Sequence, residues 1–195
     1  MNNVKTYLTI KAGLTDEQFS SLEKHTRQKK FSKGDFLLRQ GDVCEHSFFV
    51  EKGLLRSYTI DDAGKEHINQ FAPENWIVAD RSSAYFNEPF DYFIDALEDS
   101  TVIMMDKNFS KEAACTSASY VTHNERALQN HIRHLQKRIN ALLGETAEQR
   151  YLSFVYTYYD LTLRVPQWMI ASYLGITPES LSRVRKELAN KNSGK

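Results

Sequence analysis

The sequence predicts an α+β fold: a small β-barrel or sandwich from about residue 31 to 106, then a helical part ending in a helix-turn-helix. Three observations predict it. Glycines at 34, 41, 53 and 64 punctuate short β-branched and aromatic runs, and short strands at that spacing close into barrels or sandwiches. Val121, Leu128, Leu135 and Leu142 recur every seven residues in a long helical stretch. ASYLGITPESLSRVRKEL, from Ala171 to Leu188, reads as helix, glycine turn and helix.

The elements follow in chain order. Residues 4–30 read as helical, with Leu14, Phe19 and Leu22 as apolar points and Thr15 as N-cap before Asp16 and Glu17. Glu51-Lys52-Gly53 and Asp62-Ala63-Gly64 are turns, because glycine takes positive φ at little cost. Tyr58 and Ile60 alternate with Ser57 and Thr59 as in a half-buried strand. DYFIDALEDSTVIMMD gives two more strands, broken at Glu98-Asp99-Ser100. Beyond Lys107 the strand signal stops. The heptad row gains Ile132 and Ile139 as its partner row, with Glu125 the one polar intrusion. Arg126, Arg133, Lys137 and Arg138 flank it. A seam sustained over three heptads favours pairing with a second copy, against packing on its own barrel. Gly144 ends this helix, and Thr146 with Glu148 and Gln149 starts the next.

Composition narrows the function classes. The 195-residue chain is 41% hydrophobic, 26% charged and 12% aromatic, a globular profile. No apolar run approaches the roughly 20 residues of a membrane span, so no membrane partner is expected. The opening MNNVKTYLTIKAGLTDEQ has no signal-peptide core. Cys44 and Cys115 stand far apart without a CxxC pair, so a reducing cytoplasm is the expected compartment. The net charge of zero hides an asymmetry. Residues 1–125 hold 14 Lys/Arg against 20 Asp/Glu, whereas residues 126–195 hold 11 against 5. A basic C-terminal third is the footprint of a polyanion-binding module, or ordinary variation in solvated charge.

The last segment carries the chemistry. Pro166 suits the start of a helix running to Leu174, and Gly175 suits the left-handed residue that ends it. Thr177 caps a second helix, with Pro178 first and Glu179 in the first turn, where the helix dipole favours an anion. Leu181, Val184 and Leu188 share one face, leaving Glu179, Ser180, Ser182, Arg183 and Lys186 to point away. A helix-turn-helix sends its second helix into the DNA major groove. There Arg donates twice to guanine and Glu accepts from cytosine. A purely structural helical hairpin is the alternative.

KGDFLLRQGD, FFVEKGLLRSY, GKE and FAPENW, then the long helix and ASYLGITPESLSRVRKEL, resemble the Crp–Fnr superfamily of bacterial transcription regulators, above all its short Bacteroidetes-type members. The resemblance implies an N-terminal cyclic-nucleotide-binding-like β-roll (a double-stranded β-helix) over residues 1–118. It further implies a dimerisation helix over 119–144 and a winged-helix-like helix-turn-helix, wing reduced or absent, over 145–195. The implied function is a homodimer on a palindromic double-stranded DNA operator, with RNA polymerase as a further candidate partner. The dimer interface would comprise Val121, Leu128, Ile132, Leu135, Ile139 and Leu142. In the family's catabolite activator the recognition helix begins Arg-Glu and has a second Arg four residues after the Glu. Glu179 and Arg183 match the second and third of these base readers, while Pro178 replaces the first, so the operator should differ. Gln167, Ser180 and Lys186 fall where the family touches phosphates, and Thr177 and Ser182 complete the DNA-facing set. The polar stretch Ala189–Lys195 has no strand signal for a wing, and Leu161–Val165 leaves little room for a hairpin.

The resemblance breaks at the phosphate cassette. Phe90, Asp91 and Tyr92 occupy the Arg-Ser-Ala positions of cyclic-AMP-binding members, and Val78-Ala79-Asp80 stands for Gly-Glu. A ring and a carboxylate replace the phosphate-pairing guanidinium, so cyclic AMP is expected to bind weakly or not at all. Trp76, Asp80, Arg81, Tyr85 and Tyr92 are candidates to line a pocket for an unidentified small effector, or simply to fill it. No cofactor is expected. Two cysteines fall short of an iron–sulfur ligand set, and His67 is a haem-ligand candidate only as a histidine. His46 and His67 form no cupin-like cluster, and His131 and His134 flank the seam. No catalytic constellation has local support, so an enzyme is not expected. The rival is a ligand-binding or protein-interaction β-roll with a helical tail that does not bind DNA.

Overall fold

The computed structural model describes residues 2–79, 83, 86 and 88–193. They divide into two compact units, Met1–Ile60 with Asn69–Gln129, and Asp61–Ile68 with Asn130–Lys195.

The first unit opens with α1 (Asn2–Thr6), a π-helical turn (Tyr7–Lys11) and α2 (Asp16–Leu22). Thr15 caps α2 as expected: its hydroxyl accepts from the Gln18 N–H while the Gln18 side chain accepts from the Thr15 N–H. Eight strands follow: β1 (Thr26–Phe31), β2 (Phe36–Leu38), β3 (His46–Lys52), β4 (Leu55–Ile60), β5 (Glu66–Ala72), β6 (Ile77–Ala79), β7 (Phe93–Ala96) and β8 (Ser100–Asp106). They form two four-stranded sheets, ordered β1-β8-β3-β6 and β2-β7-β4-β5. Thr26–Lys30 was expected to be helical and is strand instead, continuous with Phe31. It pairs antiparallel with β8 along its whole length, from Thr26 opposite Met105 to Phe31 opposite Ser100. Ladder formation overrides a local preference that was weak to begin with. Arg27, Lys29 and Lys30 lie exposed along this sheet edge, where charge discourages pairing with another chain.

The sheet order puts the core in two layers. Phe48 and Val50 of β3 join Leu55, Val78, Phe90 and Ile94 in the interior of the roll. Phe49 between them faces the other way, joining Ile103, Met105, Leu8, Phe19 and Tyr120; this is the period of two that a pleated strand imposes. Gly53 has φ +98, and a Cβ there would lie 2.3 Å from Ser100 Oγ, so the close approach of the β3–β4 turn to β8 requires glycine.

Strand β4 departs from the expected alternation. Arg56 and Ser57 are buried beside Leu55 and Tyr58, and Ile60 is exposed. The reason is a partner: Arg56 Nε and Nη2 donate to the two Asp95 oxygens at 2.8 and 2.9 Å, and the guanidinium lies 4.0 Å from the Tyr58 ring centroid. A bidentate pair and a stacked ring satisfy an arginine that a half-buried strand would otherwise leave in water.

The chain continues through α3 (Lys107–Thr116), whose N-terminal N–H groups donate to the Asp106 carboxylate, and α4 (Ala118–Gly144). In the second unit, α5 (Ala147–Thr157) begins with the Thr146–Gln149 capping box, followed by α6 (Leu161–Arg164), α7 (Gln167–Leu174) and α8 (Pro178–Ser193). Phe154, Tyr158 and Tyr173 pack with centroids 5.2–5.9 Å apart. Arg138 of α4 lies over Tyr173 and donates to the Ile68 and Tyr173 carbonyls. The Ser172 hydroxyl accepts from the Ile68 N–H and donates to the Glu66 carbonyl, fixing α7 against this short strand segment.

Candidate nucleic-acid interface

The α7–α8 turn follows from its sequence. Gly175 sits at φ 66, ψ 37. Its N–H bonds the Ser172 carbonyl, and the Ile176 N–H reaches back to Ala171. That is the Schellman closure, which needs a left-handed residue. A Cβ on Gly175 would meet Leu142 Cδ2 at 3.0 Å, a second reason for glycine. Pro166 stands at the N-cap of α7 with Met169, Ile170, Ala171 and Leu174 buried behind it.

Helix α8 is anchored by buried Leu181 and Val184, and Leu188 is half-buried on the same side. Its other faces carry the expected polar set. Glu179, Ser182, Arg183 and Lys186 are exposed, and Glu179, Arg183 and Lys186 share a stripe at i, i+4, i+7. The Glu179 carboxyl is held below the usual carboxylate range by its own backbone N–H and the Thr177 hydroxyl, so it is anionic at neutral pH. Thr177 and Ser180 are tied to each other. The Thr177 oxygen accepts from the Ser180 N–H and its hydroxyl donates to Ser180 Oγ, both at 3.2 Å. Their hydroxyls thus hold the cap that aims α8. Gln167 is half-buried, and its Oε1 is buried with no hydrogen-bond partner among the described residues.

One residue escaped the sequence reading. Arg185 is exposed and borders a concavity together with Gln167, Pro178, Ser182 and Lys186. The spacing of Pro178, Ser182 and Arg185 (i, i+4, i+7) was the available signal.

The seam residues of α4 stand open in the single chain. Val121, Ile132, Leu135, Ile139 and Leu142 are 40–55% exposed, and Leu128 is half-buried. Large aliphatics spaced along one helix and left in water are what the expected association face requires.

Of the effector-pocket candidates, Asp80, Arg81 and Tyr85 lie outside the described residues. Trp76 and Tyr92 pack against the roll's interior cluster. Phe90 is 1% exposed, its ring centroid 4.1 Å from that of Tyr92, and its backbone bonds Asp42 and Gly41. A ring therefore fills this stretch of the interior. His67 Nε2 bonds Asp61 at 2.8 Å, and among the described residues no His, Cys, Asp and Glu gather as metal ligands. No helix among them is long and apolar enough to cross a membrane.

Residues 28–114 match the cyclic nucleotide-binding domain family. The chain is similar to the electron transport regulator A of Shewanella oneidensis, at 26% identity over 90% of this chain and 73% of that protein. It is also similar to the transcriptional activator protein Anr of Pseudomonas aeruginosa, at 27% identity over 91% of this chain and 77% of that one. Among solved structures, FixK2 from Bradyrhizobium japonicum shares the fold with a TM-score of 0.73 at 19% identity, covering 86% of each chain. The β-roll thus matches the cyclic nucleotide-binding domain family in sequence, and the chain is similar over most of its length to Fnr- and Anr-type regulators and in fold to FixK2.

Proposed function

We propose that this regulator reads double-stranded DNA as a homodimer, with α8 of each copy in the major groove of one half of an imperfect palindrome. One observation carries the reading. Arg183 and Lys186 extend from a helix pinned by Leu181 and Val184, and neither makes an ion pair with a described residue. Arg183 reads guanine, Glu179 accepts from cytosine, and Ser182, Arg185 and Lys186 serve the adjoining bases and phosphates. The exposed α4 row supports a two-fold pairing that sets half-sites about 34 Å apart. Residues 1–118 would sense or scaffold, 119–144 pair the subunits and 145–195 bind DNA in the cytoplasm, in reach of RNA polymerase. The buried Phe90 supports an effector other than cyclic AMP.

Selection of bound duplexes from a random pool tests this. A palindromic consensus whose affinity falls with salt, as counterion release requires, is the expected result. Salt-independent or absent DNA binding would overturn it in favour of a helical tail that serves protein contacts.

A further inference from the structure

A cavity of about 380 Å³ lies on the outer side of the β1-β8-β3-β6 sheet, away from the roll interior. Its strand order shows the side. Ile77 and Ala79 line it, whereas Val78 between them belongs to the interior cluster. Its floor is apolar, built from Leu8, Met105 and Phe109. Its wall is one face of α4: Tyr120, His123, Asn124 and Ala127, spaced i, i+3, i+4, i+7. The volume falls within the range of small-molecule sites.

The charges select the ligand. Both carboxylates that line the cavity among the described residues are engaged: Glu45 with Lys107 at 3.0 Å, and Asp106 with His25 and the first N–H groups of α3. Burial holds the His123 imidazole below its ordinary range, and its Nε2 meets the Tyr7 hydroxyl at 3.2 Å. Among the described residues, that leaves the Lys111 ammonium, exposed at the rim and without an ion pair to another described residue, to meet a ligand. A lone ammonium suits a single carboxylate. A phosphoryl group is better matched by the forked guanidinium, and no arginine among the described residues lines the cavity.

We infer that this cavity takes a small amphipathic monocarboxylate, its apolar body on Leu8, Met105 and Phe109 and its head at Lys111. Binding acts on α4, because Val121 and Leu128 of the seam each follow a wall residue by one position. The cavity stands independently of the DNA reading and rests on it only for this consequence.

The test uses the full chain without DNA. Calorimetric titration compares 4-phenylbutanoate and octanoate, each against its neutral amide. At least one acid binds, and its amide binds about tenfold more weakly, the worth of one charge-assisted contact. Lys111→Gln brings the acid down to the level of its amide. Ala127→Trp, which fills the cavity from an exposed helical position, abolishes binding of both. Equal affinity for acid and amide overturns the inference, as does unchanged binding by either variant or binding of neither acid. A chain that binds the acid but ignores DNA refutes the regulator reading alone. One that binds its operator and neither acid refutes the cavity alone.

Discussion

Leu135→Asp puts a carboxylate in the middle of the proposed subunit seam. Leu135 keeps 44% of its surface exposed in the single chain. Burying that remainder in a dimer contributes about 1 kcal/mol per copy, and the substitution removes it from both. The larger cost is desolvation. Two carboxylates brought together near a two-fold axis lose hydration at several kcal/mol per ion, relieved in part because a helix pair is narrow and water reaches its rim. The sum is about 4–6 kcal/mol, or roughly three to four decades in the dimer dissociation constant. A nanomolar dimer becomes a monomer at working concentrations, and operator affinity falls with it, since each α8 alone reads only half a site. Sedimentation velocity across a protein dilution series gives the constant, and anisotropy of a labelled operator gives the consequence. Leu143→Asp is the control: Leu143 is 83% exposed and falls outside the heptad rows, so its variant stays dimeric. A Leu135→Asp protein that remains dimeric at low micromolar concentration refutes the seam, as does a Leu143→Asp protein that dissociates equally.

Three further outcomes are expected. Arg183→Ala loses about 1–3 kcal/mol per half-site and relaxes one base position; unchanged base preference in repeated selection would remove it from the readout. Asp95→Ala strands the Arg56 guanidinium, 7% exposed, and lowers stability by about 3–5 kcal/mol in urea denaturation, whereas Arg56→Met with Asp95→Leu stays within about 1 kcal/mol of wild type or exceeds it. His25 bridges Glu112 at 2.8 Å and Asp106 at 3.0 Å, and these carboxylates, Glu112 foremost, raise its imidazole above the ordinary range. Its stabilisation is therefore complete below the unfolded histidine value of about 6.5 and fades as pH rises through the folded one. Glu112, held low by Lys24 and then His25, gives the opposite limb, lost as pH falls through its depressed value. The melting temperature should peak between the two, and His25→Gln should flatten the alkaline side in scanning fluorimetry.

What was legible in the sequence was what is local. The Thr15 and Thr146 caps, the glycine turns and the whole of α7–α8 are specified by residues within a few positions of one another, so spacing sufficed. Strand β1 was misread because it is specified elsewhere. TRQKKF carries no apolar alternation, and its pairing with β8 lies some seventy residues away. The Arg56–Asp95 pair spans 39 residues, and neither partner announces the other. Arg185 was lost for a subtler reason: beside Arg183 it looks redundant, and only the helical period separates their faces.

Helix α4 carries two proposed roles on one rod. The cavity wall takes Tyr120, His123, Asn124 and Ala127, while the proposed seam takes Val121 and Leu128. Each seam residue follows a wall residue, an offset of about 100° on a helix of 3.6 residues per turn. The two faces are thus adjacent rather than opposite, and a roll of α4 that tightens the wall on a ligand must turn the seam by the same angle. Knobs-into-holes packing responds steeply to such a turn, because a half-rotated aliphatic loses its hole before it gains another. Rigid aromatic contacts at the head of the helix, Tyr120 edge-on to Phe109 and His123 edge-on to Tyr7, leave little slack to absorb the motion locally. Occupancy at the cavity is therefore expected to register in the dimer constant before it registers anywhere in the roll, and a ligand-independent constant would show that wall and seam move separately.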